Sequence, residues 1–215
     1  MENITDRIQL FTQSSIKLQG EEFIVYIDPF QMKEEFHDAD FIIFTHSHYD
    51  HFSIEDIEKV KKSETLFVAP RSMEEELNQA GIPKDKSYLV TPDSVKRVKG
   101  LEIKAVPAYN KLKPFHPKKN GWVGYVLTMD GIEIYIAGDT DNLKENHDII
   151  CDIALIPIGG KFTMNYQEAA DFVNAMRPGI VIPTHYGTIV GKESDAREFA
   201  KLVDAGIRVE IKKQY

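Results

Sequence analysis

A chain of 215 residues is long enough to bury a single α/β core, so it needs neither a disulfide nor a structural metal in order to fold. The 34 acidic and 26 basic side chains give a net charge of −8, which disfavours binding to a polyanion such as nucleic acid. The single cysteine, Cys151, excludes an internal disulfide, and no apolar run approaches the roughly 18 residues of a membrane span. We therefore expect one cytoplasmic domain over residues 1–215 that has no membrane partner.

Apolar, β-branched runs bounded by turn residues recur along the chain and predict strands. In chain order these runs are 23–27, 41–44, 66–69, 101–106, 122–128, 132–136, 153–157 and 180–182. Helical periodicity follows three polar capping residues, which are Ser53 (with Asp56), Asn165 (with Glu168) and Ser194. Strand-rich stretches lie in both halves of the chain, which favours two packed sheets with helices on the outside.

Three of the apolar runs lead directly into candidate ligands. His46 follows 41–44, Asp139 follows 134–137, and His185 follows 180–183. Strands that are apolar throughout are typically buried on both faces, and groups at the ends of such strands can converge on one edge of a rigid sheet. The layout therefore predicts a functional site built from distant parts of the sequence.

Three of the seven histidines fall within six residues, at His46, His48 and His51, with Asp50 among them. Imidazole and carboxylate groups are the ligands that bind Zn²⁺ and related ions. Such a dense group would be costly to bury without partners, and no turn requires it. His46 and His48 can point in one direction while Asp50 and His51 point in another, which indicates two adjacent metal ions.

The chain resembles the metallo-β-lactamase superfamily in three motifs. These are His46-x-His48-x-Asp50-His51, Gly138-Asp139-Thr140 and Pro183-Thr184-His185-Tyr186-Gly187. Within that superfamily it is similar to the small cytoplasmic branch that includes the ascorbate 6-phosphate lactonases. The resemblance implies an α/β fold in the form of a four-layer αββα sandwich, with two mixed sheets and outer helices.

The resemblance also implies a binuclear metal site. In it His46 and His48 would bind the first ion, Asp50, His51 and His185 would bind the second, and Asp139 would bridge the two. We expect two divalent ions as cofactors, with Zn²⁺ preferred and Mn²⁺ or Fe²⁺ as alternatives.

One position departs from the superfamily pattern, which usually supplies a further histidine to the first ion. Asn110 stands near the expected position, and His116 lies slightly downstream. Asparagine is a poor zinc ligand but an acceptable one for harder ions. Either residue could therefore complete the first metal site.

Several other residues are candidates for the chemistry. Asp28 ends a predicted strand and could orient a ligand histidine through a hydrogen bond. Candidate catalytic residues are Asp50, His116 and Tyr186, and candidate substrate contacts are Tyr109, Lys161 and Thr163. Cys151 lies among isoleucines, which is typical of a small buried side chain.

These features predict a metal-dependent hydrolase that uses a metal-bound hydroxide on a lactone, ester or phosphodiester of a small metabolite. The alternatives are a nucleic-acid-processing hydrolase of the same superfamily and a non-catalytic metal-binding or sensing protein. The basic stretch of Lys111, Lys113, Lys118 and Lys119 could meet an anionic substrate. Whether the chain forms a homo-oligomer stays open.

Overall fold

The computed structural model describes residues 4–212. The chain forms two compact units, of which the first ends at Val90 and the second spans Thr91–Lys212. The sequence did not indicate this division into two units. The prediction of one domain over residues 1–215 stays a prediction.

Over residues 4–90 the first unit contains six strands and two α-helices. The strands are β1 (Ile8–Leu10), β2 (Ile16–Gln19), β3 (Ile24–Ile27), β4 (Ala39–Ile43), β5 (Lys61–Pro70) and β6 (Ser87–Val90), and the helices are α1 (Ile54–Val60) and α2 (Glu74–Gln79). The strands form one sheet in sequence order, antiparallel from β1 to β3 and parallel from β3 to β6.

The second unit contains seven strands and two longer helices. The strands are β7 (Val95–Val98), β8 (Leu101–Pro107), β9 (Val123–Met129), β10 (Ile132–Ile136), β11 (Ile153–Pro157), β12 (Ile180–Thr184) and β13 (Arg208–Val209), and the helices are α3 (Tyr166–Met176) and α4 (Asp195–Leu202). Strands β7 to β10 pair antiparallel, and β10 to β13 pair parallel. The predicted α/β class with two mixed sheets and helices is thus confirmed.

Short 3₁₀ helices occur in both units. They occupy Ile4–Arg7, Arg71–Met73, Lys84–Lys86, Lys118–Asn120 and Lys144–Asn146.

Each unit has its own apolar core. In the first, Ile42 and Phe44 pack with Ile57 of α1. In the second, Phe172 of α3 and Phe199 of α4 are completely buried in one cluster. Truncating a buried phenylalanine to alanine typically costs about 3–5 kcal/mol, so these contacts fix both helices against their sheets.

The predicted helix starts are present with different capping geometries. Asn165 and Glu168 form a reciprocal capping box at α3. Ser53 caps α1, but the Asp56 carboxylate accepts hydrogen bonds from the loop at Gln31 and Met32 as well as from the Ser53 hydroxyl. This carboxylate therefore binds α1 to the loop that follows β3.

The sheets place the candidate ligands at strand ends, as predicted, but on two different sheets. His46 follows β4 in the first unit, whereas Asp139 and His185 follow β10 and β12 in the second. The last three residues of each of these strands are buried. Strands β10 and β12 both run parallel to β11, so their carboxyl ends lie at the same edge of the sheet. Among the residues from 4 to 212, no helix is both long and apolar enough to cross a bilayer.

Candidate metal centre

The loop between β4 and α1 brings four candidate ligands together within the first unit. His46 Nε2 lies 3.0 Å from His48 Nδ1, and His51 Nε2 lies 3.8 Å from Asp50 Oδ2. A nitrogen of His46 also lies within 4.8 Å of one of His51, a span that a shared metal site can accommodate. His46, Asp50 and His51 are buried, and His48 is half-buried. Burial of this kind keeps the rings in fixed orientations.

Hydrogen bonds to Asp28 and Thr45 determine which ring nitrogens carry hydrogen. His51 Nδ1 lies 2.7 Å from Asp28 Oδ2, so it donates to this carboxylate. The Thr45 hydroxyl also donates to Asp28, at 2.6 Å, and must therefore accept from His46 Nδ1, which lies 3.0 Å away. Both rings consequently present Nε2 with a lone pair, the form in which a histidine binds metal.

Asp28 is fully buried, and the predicted hydrogen bond from a candidate ligand histidine is present. Burial raises the pKa of the Asp28 carboxyl above its ordinary value, although the nearby His51 and the hydrogen bonds from Thr45 act in the opposite direction. Its backbone has a φ of 45°, a left-handed conformation that is uncommon outside glycine. Strained backbone of this type is frequent at functional sites.

The second unit brings together a second set of candidate ligands. Asp139 Oδ2 lies 3.3 Å from His116 Nε2 and 3.4 Å from His185 Nε2. All three side chains are at most 3% exposed. His185 has a φ of 55°, so this unit also holds a ligand candidate in a strained conformation.

The side chain of Asn110 does not face Asp139 as that of His116 does. Its amide nitrogen donates to Asp141 and to the Phe162 carbonyl, and its oxygen lies 3.1 Å from the His116 backbone nitrogen and 3.0 Å from His116 Nδ1. Of the two residues considered for the missing histidine, only His116 directs a side-chain atom at Asp139.

The candidate substrate contacts differ in accessibility. Lys161 is exposed, with its Nζ 4.7 Å from the centre of the Phe162 ring. Tyr109 is half-buried, and its hydroxyl donates to Glu145 and accepts from Lys118. Thr163 is fully buried and donates its hydroxyl to the Met164 carbonyl, an arrangement that favours a structural role.

Tyr186, a candidate catalytic residue, is buried in the apolar cluster of the second unit. Burial raises the pKa of its phenol, and the Glu193 carboxylate adds to this effect. The phenol therefore stays protonated at neutral pH, where it can donate a hydrogen bond or a proton but cannot act as a base.

Asp141 was missed in the sequence, and the pairing of Lys113 with it was not foreseen. Asp141 accepts hydrogen bonds from Asn110 and from the Lys111 backbone, and Lys113 pairs with it at 2.6 Å. The spacing of Asp139 and Asp141 was the available signal, since two carboxylates two residues apart follow the same buried strand. The lysine stretch was considered as a possible contact for an anionic substrate, and two of its members, Lys113 and Lys118, pair with acidic side chains of the chain itself.

The two sets of candidate ligands, one in each unit, offer the donor atoms that divalent ions of borderline softness bind. Each set combines imidazole nitrogens with a carboxylate oxygen, which are the ligands of Zn²⁺ and of Mn²⁺ or Fe²⁺. The carboxylates supply negative charge, and the hydrogen bonds at Nδ1 leave the lone pairs of the His46 and His51 rings on Nε2. The residues present therefore suit a metal centre.

Proteins of similar sequence include metal-dependent hydrolases, which agrees with the donor sets described above. The profile of the β-lactamase superfamily domain matches residues 7–185. The chain is 34% identical over 213 residues to a metal-dependent hydrolase of Thermococcus onnurineus (strain NA1), a match that covers 92% of each protein. It is 32% identical over 208 residues to a metal-dependent hydrolase of Lysinibacillus sphaericus (strain C3-41), covering 88% of this chain and 89% of that protein.

Comparison with solved structures gives the same fold. A protein of Parabacteroides distasonis ATCC 8503 with a known crystal structure matches with a TM-score of 0.81 and 30% identity, over 97% of this chain and 93% of that one. Igni18, a metallo hydrolase of the archaeon Ignicoccus hospitalis KIN4/I, matches with a TM-score of 0.78 and 24% identity, over 96% of this chain and 94% of that one. At the latter identity the match concerns the fold alone.

Proposed function

Because the chain belongs to the β-lactamase superfamily and is a metal-dependent hydrolase, we propose that it uses two divalent ions to hydrolyse a lactone, carboxylic ester or phosphodiester of a small metabolite. The observation that carries the proposal is the pair of donor sets, each of which combines buried imidazoles with a carboxylate. A lactone or ester is our first choice of bond, and a phosphodiester is the second.

We assign the ligands from the superfamily pattern and from the ring orientations within each unit. His46 and His48 would bind the first ion together with His116, and Asp50, His51 and His185 would bind the second. Asp139 would bridge the two ions, since one of its oxygens already lies beside the imidazoles of His116 and His185. Zn²⁺ is the expected metal, with Mn²⁺ or Fe²⁺ as alternatives.

Bound ions would acidify a water molecule and polarise the carbonyl or phosphoryl oxygen of the substrate. The protein's own groups orient and move protons around this chemistry. Asp28 and Thr45 hold the rings of His51 and His46 in one tautomer. Asp50, a candidate ligand in the same loop, would accept a proton from water. Tyr186 would donate a hydrogen bond or proton to the leaving oxygen.

A small substrate fits the charge of the chain better than a nucleic acid does. The net charge of −8 opposes a polyanion, and exposed Lys161 beside Phe162 could contact a single anionic group. Lys161 and Tyr109 are therefore retained as proposed substrate contacts. We also propose a cytoplasmic location, because a single cysteine suits a reducing compartment.

The proposal is tested by assaying the purified chain and two histidine variants on p-nitrophenyl esters, lactones and bis(p-nitrophenyl) phosphate. His46→Ala should lose bound metal and at least about 100-fold of its turnover, since each ligand positions an ion. His37→Ala is the matched control, because His37 is an exposed histidine of the same unit. Full turnover in His46→Ala, or hydrolysis of labelled RNA in preference to every small substrate, would reject the proposal.

A further inference from the structure

The side chain of Asn110 can be oriented without ambiguity from its partners. Its Nδ2 lies 3.1 Å from Asp141 Oδ1 and 2.9 Å from the Phe162 carbonyl oxygen. Both partners only accept hydrogen bonds, so the atom facing them must be the amide nitrogen. The amide oxygen consequently points the other way, toward His116.

This orientation determines the hydrogen position on the His116 ring. Asn110 Oδ1 accepts from the His116 backbone N–H at 3.1 Å and lies 3.0 Å from His116 Nδ1. An amide oxygen cannot donate, so Nδ1 must carry the hydrogen of this contact. A neutral imidazole protonated on Nδ1 has its lone pair on Nε2, the atom that lies 3.3 Å from Asp139.

A further layer holds Asn110 itself in place. Asp141 accepts from the Lys111 backbone at 2.9 Å and from Lys113 Nζ at 2.6 Å. Lys113 Nζ also donates to the Thr163 carbonyl at 2.7 Å, which attaches the 110–116 segment to the loop after β11. The Asn110 backbone nitrogen donates to the His116 carbonyl at 2.7 Å, so the segment is closed at both ends.

We propose that Asn110 is a positioning residue rather than a metal ligand. It holds His116 in the Nδ1–H tautomer and so presents Nε2 as the third imidazole of the first ion. This inference rests on the proposed function, because it takes His116 as a ligand of that ion. It explains how the chain replaces the histidine usually found near position 110: the ligand lies six residues downstream, and the asparagine supports it.

The test has two readouts, neither of which is activity. The first is the ring tautomer of His116 in chelator-treated protein labelled with ¹⁵N-histidine, assigned from the signals lost in His116→Ala. The second is the affinity for zinc, measured by competition with a chromophoric chelator. The variants are Asn110→Ala, Asn110→Asp and, as control, Asn174→Ala, because Asn174 also bridges two backbone groups of the second unit.

We expect the wild type to carry the His116 hydrogen on Nδ1 and Asn110→Ala to shift it toward Nε2. The affinity for one of two zinc ions should fall about 10- to 100-fold, as is typical when a supporting partner of a ligand is lost. Asn110→Asp keeps an acceptor for Nδ1 and should retain the wild-type tautomer, whereas Asn174→Ala should change neither readout.

Two results would overturn the inference. One is a wild-type ring protonated on Nε2, and the other is an unchanged tautomer and affinity in Asn110→Ala. A fall in zinc affinity in Asn110→Ala with the Nδ1–H tautomer retained would point to direct ligation by Asn110 and would equally reject the positioning role. An unchanged zinc affinity in His116→Ala would instead reject the ligand assignment in the proposed function, so the two failures are distinguishable.

Discussion

His51 donates from Nδ1 to the Asp28 carboxylate across 2.7 Å, and both side chains are completely buried. The same carboxylate accepts the backbone N–H and the hydroxyl of Thr45, at 2.8 and 2.6 Å. A single acidic residue at the end of β3, Asp28, therefore orients residues at the start of the loop between β4 and α1, which carries the candidate ligands. Partners of this kind are needed to fix the orientation of a ligand ring.

Replacing Asp28 should weaken metal binding more than it weakens folding. Asp28→Asn keeps one acceptor but loses the carboxylate that receives both His51 and Thr45, so the affinity for one ion should fall about 10- to 100-fold. Chelator competition measures the affinity, and circular dichroism checks the fold. Asp85→Asn, at an exposed position of the same unit, is the control and should bind metal like the wild type. Equal affinities in both variants would contradict the orienting role of Asp28.

Gly159 should tolerate no side chain, because it packs against the backbone of His185. A Cβ at Gly159 would overlap the His185 carbonyl oxygen and lie 2.7 Å from Val190 Cγ2. Gly159→Ala should therefore displace His185 and lower turnover by about 10- to 100-fold, since small displacements of catalytic groups are costly. Gly206→Ala is the matched control, because a Cβ there meets nothing within 4 Å. Wild-type kinetics in Gly159→Ala would show that the close packing of Gly159 against His185 does not position His185.

Asp56 should contribute to stability in a manner that depends on pH. Burial alone would raise the pKa of its carboxyl, but hydrogen bonds from Ser53, Met32, Gln31 and Lys59 outweigh burial and lower it. Asp56→Ala leaves backbone donors of Gln31 and Met32 without this acceptor and should cost about 2–4 kcal/mol of unfolding free energy at neutral pH.

A group with a lowered folded pKa stabilises fully above its unfolded pKa, near about 4, and loses this effect as pH falls through the folded value. Urea unfolding should therefore show the difference between wild type and Asp56→Ala shrinking as the pH falls below about 4. Glu58→Ala serves for comparison, because Glu58, which lies on the same helix as Asp56, forms an exposed pair with Lys61 and its loss should cost under about 1 kcal/mol. A difference that stays constant down to the acid transition would contradict this account of Asp56.

Cys151 should react slowly with thiol reagents in the folded protein. Burial, followed by the nearby Asp152 and Glu133 carboxylates, raises the pKa of its thiol to about 12. Because the thiolate is the reactive form, labelling by 5,5′-dithiobis(2-nitrobenzoate) at about pH 8 should be roughly 1,000-fold slower than in guanidinium-unfolded protein. Cys151→Ala should retain turnover. Similar rates in the folded and unfolded chain would contradict the raised pKa.

Much of the fold is visible in the sequence because apolar periodicity is a local property. All eight predicted apolar runs coincide with strands, and the three predicted helices begin at their capping residues. The strands that were missed are short or charged, such as β7, which carries Lys96 and Arg97 at an edge of its sheet. Cys151 was expected to be buried and is partly exposed, and the neighbouring Ile150 is exposed as well.

The ligand cluster was equally visible, because four potential ligands in six residues are rare without a metal. The support of His116 was harder to predict. Asn110 meets partners 31 and 52 residues away, and this separation has no local signature. Its amide resembles a weak ligand in the sequence, whereas the folded chain uses it to orient His116.

The most direct measurement of the central claim is a crystal structure of the zinc-loaded chain with anomalous data at the zinc edge. We predict two ions per chain, with one bound by His46, His48 and His116, the other by Asp50, His51 and His185, and Asp139 contacting both. Anomalous peaks away from these side chains, or the Asn110 oxygen bound to an ion, would contradict it.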